Sequence, residues 1–341
     1  MKKYIFAIPI FLVLLACKSL PTGESLQSQG DFTITFGSCN KHNVRNKLWD
    51  DVLAANPDVW IWGGDIVYAD TSDPTEIAAM YTAQREVPGY RALLEKIPVI
   101  GTWDDHDYGL NDGGEEFVSK KDSQQVFLDF LGVERDDPRR DREGVYASHE
   151  YVRPEGKIKI LVLDTRYFRT PLTPAEEKGK RYRPGTYGEG TILGEAQWSW
   201  LHGELENSDA DFNVIVSSIQ VLSAEHGFET WGNFPAEVDK LKRTIADSGA
   251  KGVIILSGDR HISEFSSTSV DGLSFPLVDF TSSGLTHVYT SYSGEPNPFR
   301  KGEVVSKKSF GALEFDFETK RVHFRMVGDR GEVLGELWQP Y

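Results

Sequence analysis

The sequence predicts an α/β protein. Short β-rich runs alternate with longer helical patterns from Asp31 onward, and acidic turns follow directly on several of those runs, at the sheet edge where open α/β folds place their sites. The runs that read as strands are 32–37, 59–63, 99–102, 158–164, 213–218 and 252–257. Helical periodicity falls at 45–55, 75–95, 119–131, 195–207 and 236–248, with ends uncertain by a few residues. After Leu277 the pattern turns strand-rich, at 278–281, 312–317, 322–327 and 333–338, which suggests a closing hairpin layer. The stretch 133–157 and the Pro/Gly/Tyr-rich stretch 170–192 read as surface excursions. With no internal repeat or low-complexity segment, the simplest organisation is one domain over residues 31–341.

Composition narrows the function classes. The chain has 341 residues, 39% hydrophobic and 26% charged, with a formal net charge of −15. No Lys/Arg cluster is present that could neutralise a phosphate backbone, so nucleic acid is excluded as the main partner. The same acidity is awkward for an enzyme acting on anions unless bound cations invert the local field.

The N-terminus reads as an export signal. Lys2 and Lys3 precede an uncharged apolar run from Ile5 to Ala16 that is too short to span a bilayer. The run ends in Leu14-Leu15-Ala16-Cys17, which resembles a bacterial lipobox; an ordinary signal peptide with a chance cysteine is the alternative. Cys17 would carry the lipid and begin the mature chain, with 1–16 removed and 17–30 serving as a polar tether. Because 1–16 carries two lysines and no acid, the mature charge becomes −17. The expected location is therefore exported and lipid-anchored, facing the periplasm or the outside. Only two cysteines are present, so a lipidated Cys17 leaves Cys39 without a disulfide partner in a compartment where thiols usually pair. Cys39 is then either a small buried hydrophobe or a metal ligand.

Four turns carry the chemistry: Phe36-Gly37-Ser38-Cys39-Asn40, Gly63-Gly64-Asp65-Ile66-Val67-Tyr68-Ala69-Asp70, Trp103-Asp104-Asp105-His106-Asp107-Tyr108-Gly109 and Ser257-Gly258-Asp259-Arg260-His261. Any one could be an ordinary strand-ending turn. Four on one sheet edge would repel one another unless cations held them.

These residues resemble a known family. Gly64-Asp65, Asp105-His106-Asp107 and Gly258-Asp259-Arg260-His261 are similar to the GD, GNH(D/E) and GHxH blocks of calcineurin-like metallophosphoesterases. Gly64-Asp65 with Tyr68-Ala69-Asp70 further resembles purple acid phosphatases. The fullest resemblance is to the alkaline phosphatase D (PhoD-like) family, whose blocks look like FGSCN, WGGDIVYAD, TWDDHDYGLND, LVLDTRYFR, SSIQ and LSGDRHISEF in this order, over about 32–290. The resemblance implies an αββα sandwich of two mixed sheets flanked by helices. Longer members carry an N-terminal β-domain, for which the tether leaves no room.

The same resemblance implies two metals, one on Cys39, Asp65, Tyr68 and His261, the other sharing Asp65 and adding Asp105 and Asp259. A phenol titrates near 10, so Tyr68 would bind only a strong Lewis acid such as Fe3+, and thiolate suits a transition metal. The second set offers only carboxylate oxygen, which suits Ca2+. The alternative is Zn2+ or another divalent pair, with Tyr68 merely packing.

The expected reaction is hydrolysis of phosphate esters by a hydroxide bridging the metals. No Gly-x-Ser-x-Gly elbow is present, and no other side-chain nucleophile has an obvious base. His106 is placed to donate a proton to the ester oxygen, or else serves as a structural neighbour of the ligands. Arg166 is the candidate phosphate clamp, with a pairing to Asp164 or another carboxylate as the alternative. Asp107, Asn111, Gln220 and His287 are pocket-lining candidates without assigned roles. Two other functions fit the sequence: a phosphodiesterase or phospholipase-type hydrolase restricted to diesters, and a lipoprotein binding module with structural metals. No protein partner can be inferred.

Overall fold

The computed structural model describes Met1 and residues 30–341. Cys17, with nearly all of the expected leader and tether, lies outside the described residues. In chain order the strands are β1 (Phe32–Gly37), β2 (Val59–Gly63), β3 (Val99–Thr102), β4 (Ala147–Val152), β5 (Lys157–Val162), β6 (Thr173–Pro174), β7 (Tyr182–Arg183), β8 (Phe212–Val216), β9 (Val253–Ser257), β10 (Ser263–Thr268), β11 (Leu277–Ser282), β12 (Arg300–Val305), β13 (Phe310–Asp316), β14 (Arg321–Val327) and β15 (Val333–Pro340). The helices are α1 (Trp49–Ala54), α2 (Pro74–Arg85), α3 (Pro88–Leu94), α4 (Asp105–Tyr108), α5 (Lys120–Phe130), α6 (Gly194–Glu206) and α7 (Pro235–Ser248).

Two mixed sheets face each other. The first runs β15-β14-β13-β1-β2-β3 and the second β12-β10-β11-β9-β8-β5-β4. β1, β2 and β3 are parallel, as are β5, β8, β9 and β11, and the outer strands run antiparallel. The central strands are buried at every position, so both faces of each sheet are covered.

The two-residue strand period sorts their side chains into layers. Val59 and Ile61 of β2 join Phe212, Val214 and Val216 of β8 and Ile254 and Leu256 of β9 between the sheets. Trp60 and Trp62 face outward onto Trp49 of α1, Ile77 and Tyr81 of α2 and Tyr90 of α3. Ile215, Val253 and Ile255 face outward onto Trp198, Leu201 and Leu205 of α6 and Leu241 and Ile245 of α7. Helix, sheet, sheet and helix thus form the expected sandwich.

Several elements differ from expectation. The helix expected over 75–95 is two, α2 and α3. Pro88 lacks the N–H that would continue the ladder and drives the residue before it out of helical geometry; Val87 sits at φ −60°, ψ 120°. The strand-rich end does not form a separate layer, because β13 pairs antiparallel with β1 and carries β14 and β15 into the first sheet. β4 lies inside the stretch expected to be an excursion, and β10 and β12 were not expected. All three are polar in sequence, and β10 is buried only because partners meet its polar groups: Glu264 pairs with Arg300 at 2.7 Å and accepts from Gln220 at 2.7 Å.

The acidic turns follow β1, β2, β3 and β9. Three come from the first sheet and one from the second, and all open at the same end of the sandwich.

Candidate metal centre

Three of the four turns, those after β1, β2 and β9, bend sharply at residues that carry a donor atom. Cys39, Asp65, Asp259 and His261 have φ of 59°, 53°, 69° and 56°, a left-handed conformation that L-residues adopt at a cost and that concentrates at functional sites. Close approach is the second constraint. A Cβ on Gly64 would lie 2.5 Å from Asp104 Cβ, and one on Gly258 would lie 2.6 Å from Ser38 Oγ and 2.7 Å from Gly63 O. The turns after β1, β2 and β9 therefore meet only because glycine occupies those positions. Asp107 pins the arrangement, its carboxylate accepting from the backbone N–H groups of Asp65, Ile66 and Asp104 at 3.3, 3.1 and 2.6 Å.

The donors converge. Cys39 Sγ lies 3.4 Å from Asp65 Oδ2. Tyr68 donates from its hydroxyl to Asp65 Oδ2 at 3.1 Å, and the Tyr68 hydroxyl oxygen is also 3.1 Å from His261 Nε2. Cys39, Asp65 and His261 form one group whose ligand atoms lie within 4.8 Å of one another; Asp65, Asp104, Asp105 and Asp259 form a second. Asp65 belongs to both. Asp105 and Asp259 stand in the second group, Tyr68 reaches the first through its hydroxyl contacts, and Asp104 is an addition, with Oδ1 engaged by Arg166 and Oδ2 buried without a partner.

The electrostatics suit cations. Burial, and then the charges of Asp65 and Asp259, push the Cys39 thiol well up. Burial, followed by Asp105 and Asp104, does the same to Asp65, and burial with Asp65 raises Tyr68. Asp259 is pushed up to about 7, chiefly by burial and then by Asp105. Asp105 is the exception. Burial raises it too, but Arg166, His106 and the N–H groups of Asp112 and His106 hold it below the usual range. Burial and then Arg260 bring His261 down to about 4, which leaves a neutral imidazole with a lone pair to give. A thiol, a phenol and carboxylates all driven toward neutrality beside an unprotonated histidine form a site whose charge balance a metal ion restores. Asp65 Oδ1, buried with no hydrogen-bond partner, is a further open coordination position. The residues present therefore fit metal ions.

His106 borders the centre. Its Nδ1 lies 2.7 Å from Asp70 Oδ1, and its ring packs on that of Tyr68 at 4.1 Å, tilted by 33°. Asp70 has no assigned role in the sequence reading, since nothing in the sequence ties it to a histidine 36 residues away. A cavity of about 330 Å³ opens here, lined among others by Asp105, His106, Asn111, Asp259, Arg260 and His261. His287 packs its ring 4.4 Å from His261 and 5.0 Å from Tyr68. Gln220 is directed away, onto Glu264 and Thr281.

Arg166 is not available as a phosphate clamp. It is fully buried, with Nε 2.7 Å from Asp104 Oδ1, Nη2 on the same oxygen, and Nη1 2.6 Å from Glu229 Oε2. The carboxylate alternative is the observed one, though the partners are Asp104 and Glu229. Asp164 instead accepts from the Arg166 backbone N–H. Two buried acids beside a dense anionic centre require a fixed internal cation, and Arg166 supplies it.

The chain matches the PhoD-like phosphatase family over residues 34–334. It is 24% identical over 302 residues to alkaline phosphatase D of Bacillus subtilis (strain 168), which covers 74% of this chain and 49% of that protein. The chain thus spans about half the length of the curated relative it matches. A solved structure of PhoD aligns with a TM-score of 0.71 at 17% identity, covering 92% of this chain and 69% of the other. GAP50, described as the anchor in the inner membrane complex of Plasmodium, aligns at 0.59 and 13% identity, covering 91% and 88%. At these identities the two structures establish the shared fold.

One outcome follows from the sharing of Asp65. Asp65→Asn should lower the content of both metals together, read by elemental analysis of purified protein, whereas loss of one metal alone would contradict a shared ligand.

Proposed function

Given that this chain belongs to the PhoD-like phosphatase family, we propose that its acidic cleft hydrolyses phosphate esters with two bound cations. The observation that carries this reading is Asp65, common to two groups of donors, with His106 beside them. Cys39, Asp65, Tyr68 and His261 would hold one ion, and Asp65, Asp105 and Asp259 the other. Bound there, the ions would withdraw charge from the phosphate and bring the pKa of water toward neutrality.

The chain's own residues do the rest. Asp70 lies 2.7 Å from His106 Nδ1; an Nδ1–H given to that carboxylate would orient the ring and favour the imidazolium, whose Nε2–H could then pass its proton to the leaving oxygen. The Tyr68 ring beneath it sets the plane of the imidazole. His106→Ala should keep both metals and lose about 10²–10⁴-fold in kcat on an ester with a poor leaving group; Asp70→Asn should lose less. A wild-type kcat for His106→Ala would remove its acid role. Comparing monoesters with diesters on the same protein separates a phosphatase from a diester-restricted hydrolase.

The donor chemistry supports Fe3+ at the Cys39 and Tyr68 position and Ca2+ at the all-oxygen one. Thiolate and phenolate give ferric iron visible colour. A calcium chelator should abolish activity and leave that colour, added calcium should restore activity, and Tyr68→Phe should shift or remove the band. Colourless, fully active protein holding only zinc would overturn this assignment.

Residues 31–341 are proposed to act as one unit, exported and tethered to a membrane through a lipid on Cys17, with Lys18 after it resembling an outer-membrane address in a Gram-negative host. Among the described residues no helix is long and apolar enough to cross a membrane. Cys17→Ser should impair processing and release the protein from the membrane fraction; a cytoplasmic, unlipidated wild type would contradict the anchor.

A further inference from the structure

We infer that Arg260 grips the substrate phosphate and that Glu295 is its internal competitor, a carboxylate that the phosphate group must displace to bind. The inference rests on the phosphoesterase reading above.

A dianionic ester entering this cleft meets Asp105, Asp112, Glu229 and Asp259 along its walls. With Arg166 engaged inside the fold, any side-chain cation that helps the two proposed ions hold the phosphate has to come from elsewhere. Besides Arg166 and Arg169, both buried against Glu229, three basic side chains among the described residues come near the centre. Lys41 sits with Nζ 5.0 Å over the ring of Tyr68 and is not among the residues that line the cavity. Arg181 lines it but is about half exposed, 53%, and pairs with Asp112 at 2.6 Å. Arg260 lines it from between Asp259 and His261 and is only 8% exposed.

The guanidinium of Arg260 is held ready rather than consumed. Nη2 lies 2.9 and 3.0 Å from the two Glu295 oxygens, while Nε is buried without a hydrogen-bond partner. A guanidinium carries five N–H donors in a rigid fork, so a single nitrogen serving one carboxylate leaves donors for an incoming oxyanion. The guanidinium carbon lies 4.3 Å over the ring of Phe228, a contact that restrains the group from which phosphate would be gripped. Phe228 and Tyr289 line the same cavity.

Glu295 is placed to let go. Its backbone is anchored independently, with the carbonyl accepting from Arg300 Nη1 at 2.9 Å and the N–H donating to the Tyr292 hydroxyl at 3.2 Å. Rotation of its side chain alone therefore exposes the fork, and the segment carrying it stays in place. A carboxylate on the fork also raises the threshold for entry, because a phosphate group offers more charge and more acceptors than a second carboxylate would.

The test uses metal-loaded full-length protein, with inorganic phosphate as the probe in calorimetric titration and an aryl phosphate for kinetics. Arg260→Ala should weaken phosphate binding and raise KM by about 10-fold or more at unchanged metal content, and Arg260→Lys should recover part of the loss. Glu295→Gln should tighten phosphate binding several-fold, because the competitor loses its charge. A structural brace predicts the opposite: Glu295→Gln would then weaken binding as Arg260→Ala does, and that result, or unchanged binding in Arg260→Ala, overturns the inference. Should Arg260→Ala lose its metals, Glu295→Gln decides alone, since it leaves Arg260 intact. Wild type that binds phosphate through this pair but turns over no ester would refute the phosphoesterase reading and leave the anion site standing.

Discussion

The constraint on which the rest depends is the burial of like charge. Asp65, Asp104, Asp105 and Asp107 crowd one end of the sandwich, each almost wholly shielded from water, with Asp259 beside them on the wall of the cleft. A polypeptide tolerates this only by answering each charge. Asp107 is answered by backbone N–H groups, Asp104 by Arg166, and Asp105 by Arg166 together with the N–H groups of Asp112 and His106. Asp65 and Asp259 are left with too little, and Cys39 and Tyr68 stand beside them as protonated donors. The fold therefore builds a deficit of positive charge at one point, which a bound cation would fill. Arg166 belongs to the permanent half of that balance, which is why it cannot also serve substrate.

The surrounding architecture keeps the deficit in place. Central strands buried on both faces cannot slide without exposing a full layer of core, and the turns at their ends are further fixed by glycines that admit no side chain. Left-handed backbone at Cys39, Asp65, Asp259 and His261 turns each donor inward at some cost in local strain, which a rigid scaffold sustains. Beyond this rigid layer the cleft is lined by longer, polar connections, including the segments that carry Arg181, Tyr289 and Glu295. The candidate donors thus sit on short turns at strand ends, and the outer wall of the cleft on longer loops.

Much of this was legible in the sequence, for identifiable reasons. β1, β2 and β3 match the apolar runs that predict them because those strands are buried on both faces. The donors were legible because they stand in short blocks immediately after such runs. β10 was not, since SEFSST has no apolar signature and is buried only through the pairings of Glu264. Helix 75–95 was overextended because its periodicity continues across Pro88 while the backbone does not. The misreading of Arg166 is the most instructive: the sequence places it beside a strand end, but only three-dimensional packing reveals Asp104, 62 positions away, and Glu229, 63 positions away, as its partners. Asp70 and Glu295 were missed for the same reason, being defined by what they touch.

The split origin of the donors has a consequence for how the protein matures. Cys39, Asp65, Tyr68 and Asp105 belong to the first sheet, Asp259 and His261 to the second, and Cys39 Sγ meets the Asp259 carbonyl oxygen across 220 residues of chain. Neither half offers a complete coordination shell. An ion bound by both would be a cross-link between the two layers, so a complete shell would be available only once the sheets had docked. A chain crossing a membrane from its N-terminus would have to deliver more than two thirds of its length before it could capture metal on the far side. Its metal content would then be drawn from the compartment in which folding finishes, whatever ions the compartment of synthesis contains.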